Sequence, residues 1–165
     1  FAVDHISRVC SHQLVRHRLA SFSQQSQRYV SMEFPKVVCP PSVEGREDAR
    51  KIFEEACGKA HEAYLALCAL GIPKEDARYL LPHGFETSLV VTMNARELMH
   101  FFRLRLCRRA QWEIRDLAKE MLRQVREKAP FLFSLAGPSC VSEGSCEEER
   151  PCGNPYRSIE ELLEE

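Results

Sequence analysis

The feature that most constrains the fold is a run of apolar residues recurring every three to four positions between residues 47 and 70. This spacing places apolar side chains on one face of an α-helix and leaves charged side chains on the other. Gly71 follows where a helix commonly ends in a left-handed residue. We therefore expect a long amphipathic helix packed against a core through Ala49, Ile52, Phe53, Ala56, Cys57, Ala60, Ala63, Tyr64 and Leu67.

The first part of the chain predicts fewer regular elements. Residues 1–4 can form the stump of a strand, and apolar residues from Ile6 to His17 recur at helical spacing, with Ser7 as a possible cap. Residues 19–43 lose this pattern and contain three prolines, which remove backbone donors. They predict a long loop.

The remaining patterns place one strand among several helices. We expect a short helix over residues 73–81, a strand over Thr87–Met93, a helix begun by Asn94 and Glu97 as a capping box, and a helix over Ala110–Val125 closed by Pro130. Long alternation of strands and helices is missing. The sequence therefore predicts an α+β fold, rich in helices, with a small and mostly antiparallel sheet.

Charge and cysteine content limit the class of protein. The 165 residues include 23 Lys+Arg and 24 Asp+Glu, so the formal net charge is −1. This balance gives no overall attraction to nucleic acid or to a membrane surface, and no apolar run approaches the roughly 20 residues of a membrane-spanning helix. The chain starts at Phe1 without a signal sequence, which predicts an internal fragment of a cytoplasmic protein with reduced thiols. We expect Cys10, Cys57 and Cys68 in the core.

The C-terminal residues differ in composition from the rest. They divide the chain into a domain over residues 1–136 and an acidic, cysteine-containing tail over 137–165, which we expect to be solvated and poorly ordered. Cys140, Cys146 and Cys152 are each six positions apart, wider than usual zinc-ligand pairs, and they offer only three thiols. No metal site is therefore predicted.

Two clusters of basic and polar residues are candidates for ligand binding. Residues 13–29 contain three Arg, one His, three Ser and four Gln with no acidic residue, an inventory suited to a small phosphorylated ligand. The alternative is a solvated polar loop. Arg96, His100 and Arg103 share one predicted helix face, and Arg96 and His100 lie close to a helix start that favours anions. For Arg108, Arg109 and Arg115 the alternative to ligand binding is a salt-bridged helix surface. A weaker alternative for the whole cluster over residues 96–109 is that it binds RNA.

A motif in the first cluster resembles a known family. The run Arg16-His17-Arg18, Ser21, Ser26 and Arg28-Tyr29 is similar to the signature of the flavin-dependent thymidylate synthases. Arg78-Tyr79-Leu80-Leu81-Pro82, Asn94-Ala95-Arg96, Arg105 and Ala110-Gln111-Trp112-Glu113-Ile114-Arg115 follow in the order and approximate spacing of that family. The resemblance covers about residues 1–135.

The resemblance implies an activity and a set of site residues. It implies conversion of dUMP to dTMP, with methylenetetrahydrofolate as carbon donor and NADPH as reductant through bound FAD, in a homotetramer with shared active sites and the fold of a thymidylate synthase-complementing protein. The implied FAD contacts are Arg16, His17, Arg18, Gln24, Asn94, Ala95, Arg96 and His100. The implied dUMP contacts are Gln13, Leu14, Val15, Arg16, Gln24, Gln25, Ser26, Gln27, Arg28, Arg78 and Arg105. The family's segment preceding Phe1 also contacts FAD.

Arg105 is the implied catalytic residue. It corresponds to the arginine that helps ionise N3 of the uracil, and a fixed cation there stabilises the negative charge that develops on the ring. Ser26 has no matching base nearby, so we expect it to bind the nucleotide rather than act as a nucleophile. Cys107 follows Arg105 closely and is the one cysteine near the expected chemistry. The alternative is a non-catalytic, nucleotide-binding assembly subunit of the same fold.

Overall fold

The computed structural model describes residues 1–26, 28 and 36–165. The elements in these ranges are β1 (Ala2–Ser7), α1 (Arg8–Leu14), β2 (Ala20–Gln24), α2 (Pro41–Glu44), α3 (Glu47–Ala69), α4 (Lys74–Ala77), a 3₁₀ turn (Arg78–Leu80), β3 (Glu86–Met93), α5 (Ala95–Arg105), α6 (Trp112–Lys128), α7 (Ser139–Ser142) and α8 (Ile159–Glu164). The fold is α+β, as predicted. It divides into two compact units: the α3 unit, residues 2–12 and 22–91, and the α5–α6 unit, residues 1, 13–21 and 92–165.

The three strands form one sheet in the order β1-β3-β2. β1 runs antiparallel to β3, with Val3 opposite Leu89 and Ile6 opposite Thr87. The register shifts between Val3 and Ile6, where His5 has a φ of 60°. β2 lies in the segment predicted as a loop over 19–43, so that prediction was wrong there. Half-buried Ala20, Phe22 and Gln24 alternate with exposed Ser21 and Ser23, but only two of the five residues are apolar, so the strand pattern is short and weak.

The start of the first helix also differs from the prediction. β1 continues to Ser7, and α1 covers only Arg8–Leu14 instead of reaching from Ile6 to His17. Ile6 is buried in the sheet, so its apolar character comes from a strand and not from a helix face. The predicted cap is confirmed, because Ser7 Oγ accepts a hydrogen bond from the backbone N–H of Cys10 at 3.0 Å.

The predicted long helix is confirmed as α3. It ends before Gly71, whose φ of 82° is the left-handed conformation that glycine adopts without strain. Cys57 and Tyr64 are buried and form a core with Ala77, Leu81 and Phe85, whereas Ile52 is 71% exposed, so the apolar face is narrower than predicted. Neither α3 nor any other helix in the described ranges combines the length and apolar character needed to cross a membrane.

The two helices of the α5–α6 unit begin at capped positions. The Asn94 side chain accepts from Glu97 N, which confirms that predicted start, and the Gln111 side chain accepts from two N–H groups at the start of α6. The helices pack through a fully buried core that includes Phe101, Phe102, Leu106, Ile114, Ala118 and Leu122. Phe133 extends this core, its ring meeting that of Phe102 edge-on at 6.1 Å.

The tail is not the solvated appendage predicted from its composition. Tyr156, Ile159 and Leu162 are buried, and α8 packs against α6. The acidic residues pair with basic residues that precede them in the sequence; Glu165 Oε1, for example, lies 2.9 Å from Arg108 Nη1. Arg108, Arg109 and Arg115 all have such acidic partners, which confirms a salt-bridged surface for these three.

Candidate active site

The junction between β3 and α5 positions the first group of predicted site residues. Asn94 ends the strand and caps the helix, so Arg96 and His100 follow one turn apart on α5. Both are exposed, and Glu97 between them is buried. A buried carboxylate requires partners to offset its lost hydration. Glu97 is therefore a residue of the site that the family motif did not assign.

Glu97 is the first member of a buried hydrogen-bonded chain. Its Oε1 lies 3.1 Å from His17 Nδ1, and His17 Nε2 accepts from Arg105 Nε at 3.0 Å. Because the guanidinium can only donate, the His17 proton lies on Nδ1 and is donated to Glu97. His17 is therefore a neutral bridge between the carboxylate and the cation.

The protonation of His17 follows from its surroundings. Burial is the largest effect that lowers the pKa of His17 below its usual 6.5, and the positive charge of Arg105 lowers it further, against the opposing effect of Glu97. The ring is 4% exposed and both nitrogens already have protein partners. The arrangement gives His17 a positioning role toward Arg105.

The titration of His17 predicts a loss of stability in acid. His17 binds a proton more readily in the unfolded chain than in the folded protein, because folding lowers its pKa. The free energy of unfolding should therefore fall as the pH drops below 6.5. The contribution of His17 to this fall is at most about 1.4 kcal/mol per pH unit. Urea unfolding of the intact protein over a pH series measures this slope. In His17→Gln the contribution should disappear. Equal slopes in the two proteins would contradict the assignment.

Arg105 has a second anchor in the same unit. Its Nη2 donates to the backbone carbonyl of Gln13 at 3.3 Å. Gln13 is in turn held by its side chain, which donates to Gln111 Oε1 at 3.3 Å. The guanidinium is therefore fixed from two directions, by a neutral imidazole and by a carbonyl. This holds a permanent positive charge at one place.

A cavity of about 640 Å³ lies over this arrangement. Its lining combines cationic side chains with two leucines: Arg16, His17, Arg18, Leu19, Arg96, Glu97, His100, Leu104 and Arg105. The volume is in the range of cofactor sites, and the mixture suits a ligand with a planar apolar part and phosphate groups. Seven of the eight predicted FAD contacts belong to the α5–α6 unit, and Arg16, His17, Arg18, Arg96 and His100 line the cavity itself.

The α3 unit carries a second basic pocket, of about 440 Å³. Arg78 lines it, together with Arg8, His12 and His83, which the sequence reasoning did not single out. Burial is the largest cause that lowers the pKa of Arg8, and the charge of Arg78 adds to it. Arg8 and His12 are four residues apart on α1, a spacing that could have indicated a shared face. Converging cations make this a site for an anion.

The other predicted contacts in the α3 unit are held by hydrogen bonds. Gln24 Nε2 donates to Thr87 Oγ1 at 3.3 Å, the Gln25 N–H donates to Ser88 O at 2.9 Å, and Ser26 Oγ accepts from Arg28 N at 3.2 Å. The Arg28 side chain pairs with Glu75, whose carbonyl accepts from Arg78 Nε. Gln27 lies outside the described residues.

Three further predicted contacts lie in the α5–α6 unit. Leu14 is fully buried, which gives it a packing role, and Val15 is exposed. Ala95 is half-buried in the first turn of α5. For these residues contact with a ligand stays a prediction.

Comparisons with known proteins agree with this set of residues. The sequence profile described as Thymidylate synthase complementing protein matches residues 1–131. A flavin-dependent thymidylate synthase of Geobacter sulfurreducens is 57% identical over 151 residues, covering 90% of this chain and 64% of the relative.

Other relatives carry the same name. That of Sulfurisphaera tokodaii is 53% identical over 143 residues, covering 86% of this chain and 55% of the relative, and that of Clostridium tetani is 45% identical over 169 residues, covering 93% and 68%. The chain thus spans less than two thirds of the first two relatives. The profile match over most of the chain, together with these identities, shows that the chain belongs to the thymidylate synthase complementing protein family.

Proposed function

We propose that the protein containing this chain is a thymidylate synthase, which converts dUMP to dTMP with FAD as cofactor. In this proposal methylenetetrahydrofolate donates the carbon and NADPH the reducing equivalents. The observation that carries the proposal is the Glu97–His17–Arg105 chain, which fixes a guanidinium at the wall of a cationic cavity. The names of the relatives support it.

The residues present suit a flavin dinucleotide. Arg16, Arg18 and Arg96 offer planar, permanently charged groups for a pyrophosphate, and Leu19 and Leu104 offer apolar surface for a ring. Bound FAD supplies hydride chemistry that amino-acid side chains lack. The protein itself binds and orients FAD and the substrates, and it polarises the uracil ring. We assign Asn94, Ala95 and His100 to the same cofactor set, and Gln24, in the α3 unit, stays a predicted FAD contact.

Arg105 performs the polarising part in this proposal. Methylation at C5 of a uracil requires negative charge to build up on N3 and its neighbouring carbonyl. A cation whose position is already fixed stabilises that charge without reorganising during the reaction. Neutral His17 accepts from the guanidinium without adding a second positive charge. The basic pocket at Arg8 and Arg78, in the α3 unit, suits a phosphate group.

Assembly and location complete the proposal. We place the protein in the cytoplasm, as a homotetramer whose chains share active sites. Light scattering of the intact protein measures the number of chains in the particle. A catalytically competent monomer would contradict the shared sites.

The activity is tested by incubating the intact protein with dUMP, methylenetetrahydrofolate and NADPH, and separating the nucleotides. We expect dTMP formation that requires all three substrates and a flavin bound to the purified protein. A non-catalytic assembly subunit would bind dUMP without forming dTMP and without oxidising reduced flavin. That result, or intact protein that cannot be loaded with FAD, would overturn the proposal.

A further inference from the structure

Glu97 is a buried carboxylate in the first turn of α5. Its backbone N–H donates to Asn94 Oδ1 at 2.9 Å, as the third residue of a capped helix does. In a capping box the side chain of this residue returns to the N–H of the cap. The hydrogen bond described for the Glu97 carboxylate runs instead to His17. The carboxylate is therefore directed toward a second segment of the chain, which follows α1.

Glu97, Phe101 and Arg105 follow one another at intervals of four residues along α5. This interval places their side chains in one row on the helix surface. The His17 ring lies along this row, with Nδ1 3.1 Å from Glu97 Oε1 and Nε2 3.0 Å from Arg105 Nε. Eight residues separate Glu97 from Arg105, about 12 Å along a helix axis. His17 therefore links a carboxylate and a guanidinium that lie about two turns apart.

The surroundings of the His17 ring restrict its orientation. The ring is 4% exposed, and the fully buried Phe101 ring meets it edge-on at 5.0 Å between ring centres. The His100 ring lies 5.9 Å away. The backbone N–H of His17 donates to Leu14 O at 3.2 Å, which holds the main chain at the end of α1. Because the ring is enclosed, we expect the loss of a partner to change the position of its proton more readily than its orientation.

The hydrogen bond to Glu97 decides which nitrogen of His17 faces Arg105 as an acceptor. A neutral imidazole carries one proton, and the partner of one nitrogen selects the role of the other. An ionised carboxylate can only accept, so it retains the proton on Nδ1 and leaves the lone pair of Nε2 for Arg105 Nε. With the proton on Nε2, two N–H groups would face each other and the guanidinium would lose this anchor. Through this proton, Glu97 determines how Arg105 is held.

The negative charge of Glu97 also needs a physical reason, because burial of a carboxylate is costly. An apolar side chain of similar length could fill the same space without this cost. The start of α5 favours negative charge through the helix dipole, and four arginines line the cavity beside Glu97. These charges make the burial tolerable. The use of a carboxylate is then explained by its hold on the His17 proton.

We propose that Glu97 is a positioning residue of the synthase reaction, which acts on the substrate through His17 and Arg105. Glu97 keeps the proton on His17 Nδ1, His17 presents an acceptor, and Arg105 is held where negative charge develops on the uracil. The effect on turnover rests on the proposed function. The position of the His17 proton does not, and it can be measured separately.

The first test observes the His17 proton and needs no turnover. The intact protein, with its histidines labelled with a nitrogen isotope, is examined by long-range proton–nitrogen correlation at neutral pH, and His17→Gln identifies the His17 signals. We expect a protonated Nδ1 and an unprotonated Nε2. In Glu97→Met, which removes the acceptor but keeps a long side chain, the proton should move to Nε2. A protonated Nε2 in the unmodified protein, or an unchanged ring in Glu97→Met, would overturn the proposal.

The second test measures kcat for dTMP formation. Glu97→Met should lose about 10- to 100-fold, the range for residues that orient another group at a site. Glu97→Gln retains an acceptor oxygen and should keep more activity. A double-mutant cycle with Arg105→Ala then shows whether the effect passes through Arg105, because the further loss in that background should be about twofold or less. An equal fold-loss in both backgrounds would contradict the proposal.

Glu120→Gln is the matched control, because this exposed glutamate of α6 pairs with Arg123 on the helix surface. It should change neither kcat nor the His17 signals. Thermal unfolding followed by circular dichroism reports the fold of each variant, and Glu97→Gln takes the place of Glu97→Met in both tests if the apolar variant does not fold. If the unmodified protein forms no dTMP, the proposed function fails, and the His17 proton alone decides whether Glu97 holds Arg105 through His17.

Discussion

Arg105→Ala is expected to lower dTMP formation by about 10²- to 10³-fold, the loss seen when one preorganised electrostatic group is removed from an active site. The guanidinium is held in place by His17 and by the Gln13 carbonyl, and alanine removes the positive charge from that position. We expect FAD to remain bound, because Arg16, Arg18 and Arg96 are unchanged. Nucleotide analysis of product and flavin absorbance of the purified variant measure the two effects.

Arg105→Lys separates charge from geometry. Lysine keeps the positive charge but offers a single ammonium group instead of a planar fork, so it cannot reproduce both hydrogen bonds in the same positions. Its activity should lie below that of the unmodified protein and above that of Arg105→Ala. Arg50→Ala, at an exposed arginine of α3 paired with Glu54, is the control and should retain full activity. Full activity of Arg105→Ala would exclude Arg105 from the chemistry.

Leu162→Ala is expected to lower the free energy of unfolding by about 2–5 kcal/mol, the range for truncating a buried leucine. Leu162 is fully buried in α8, where it packs into the same unit as α6. The adjacent Leu163 is only half-buried, so Leu163→Ala should cost clearly less. Urea unfolding of the intact protein compares the two variants. If both have the same small effect, the tail does not contribute to the core of the folded protein.

Local patterns could predict much of this fold because single residues carry clear signals. Gly71 marks the end of a helix because glycine adopts the left-handed conformation easily, and Asn94 marks the start of one because its side chain can cap it. In α3 and α6 the apolar residues recur at helical spacing over several turns. β2 carries only a weak signal, since it is five residues long, only two of them are apolar, and its place in the sheet depends on pairing with β3. The packing of the tail was missed for a related reason. Its acidic residues are solvated in isolation and are compensated by basic residues far away in the sequence.

The motif predicts which arginines belong to the candidate site, but it does not predict the hydrogen bonds that hold them. Arg16, Arg18, Arg96 and Arg105 were assigned by the resemblance and line one cavity. The sequence predicts Glu97 only as a helix-capping residue, because a buried carboxylate opposite a histidine 80 positions away cannot be inferred from spacing. Cys107 was noted for its position near Arg105. It also lines a cavity with the three tail cysteines, a proximity that depends on the tertiary fold.

Gln111 shows how one side chain can support both the fold and the candidate site. Its side-chain oxygen accepts from the N–H groups of Glu113 and Ile114 and from the amide of Gln13. The same atom thus begins a helix and supports the residue whose carbonyl anchors Arg105. A designer who treats this position as a surface glutamine would weaken two functions with one substitution. Gln111 belongs to the family motif because it supports the site structurally. We therefore expect substitutions of Gln111 to be poorly tolerated even if its side chain contacts no ligand.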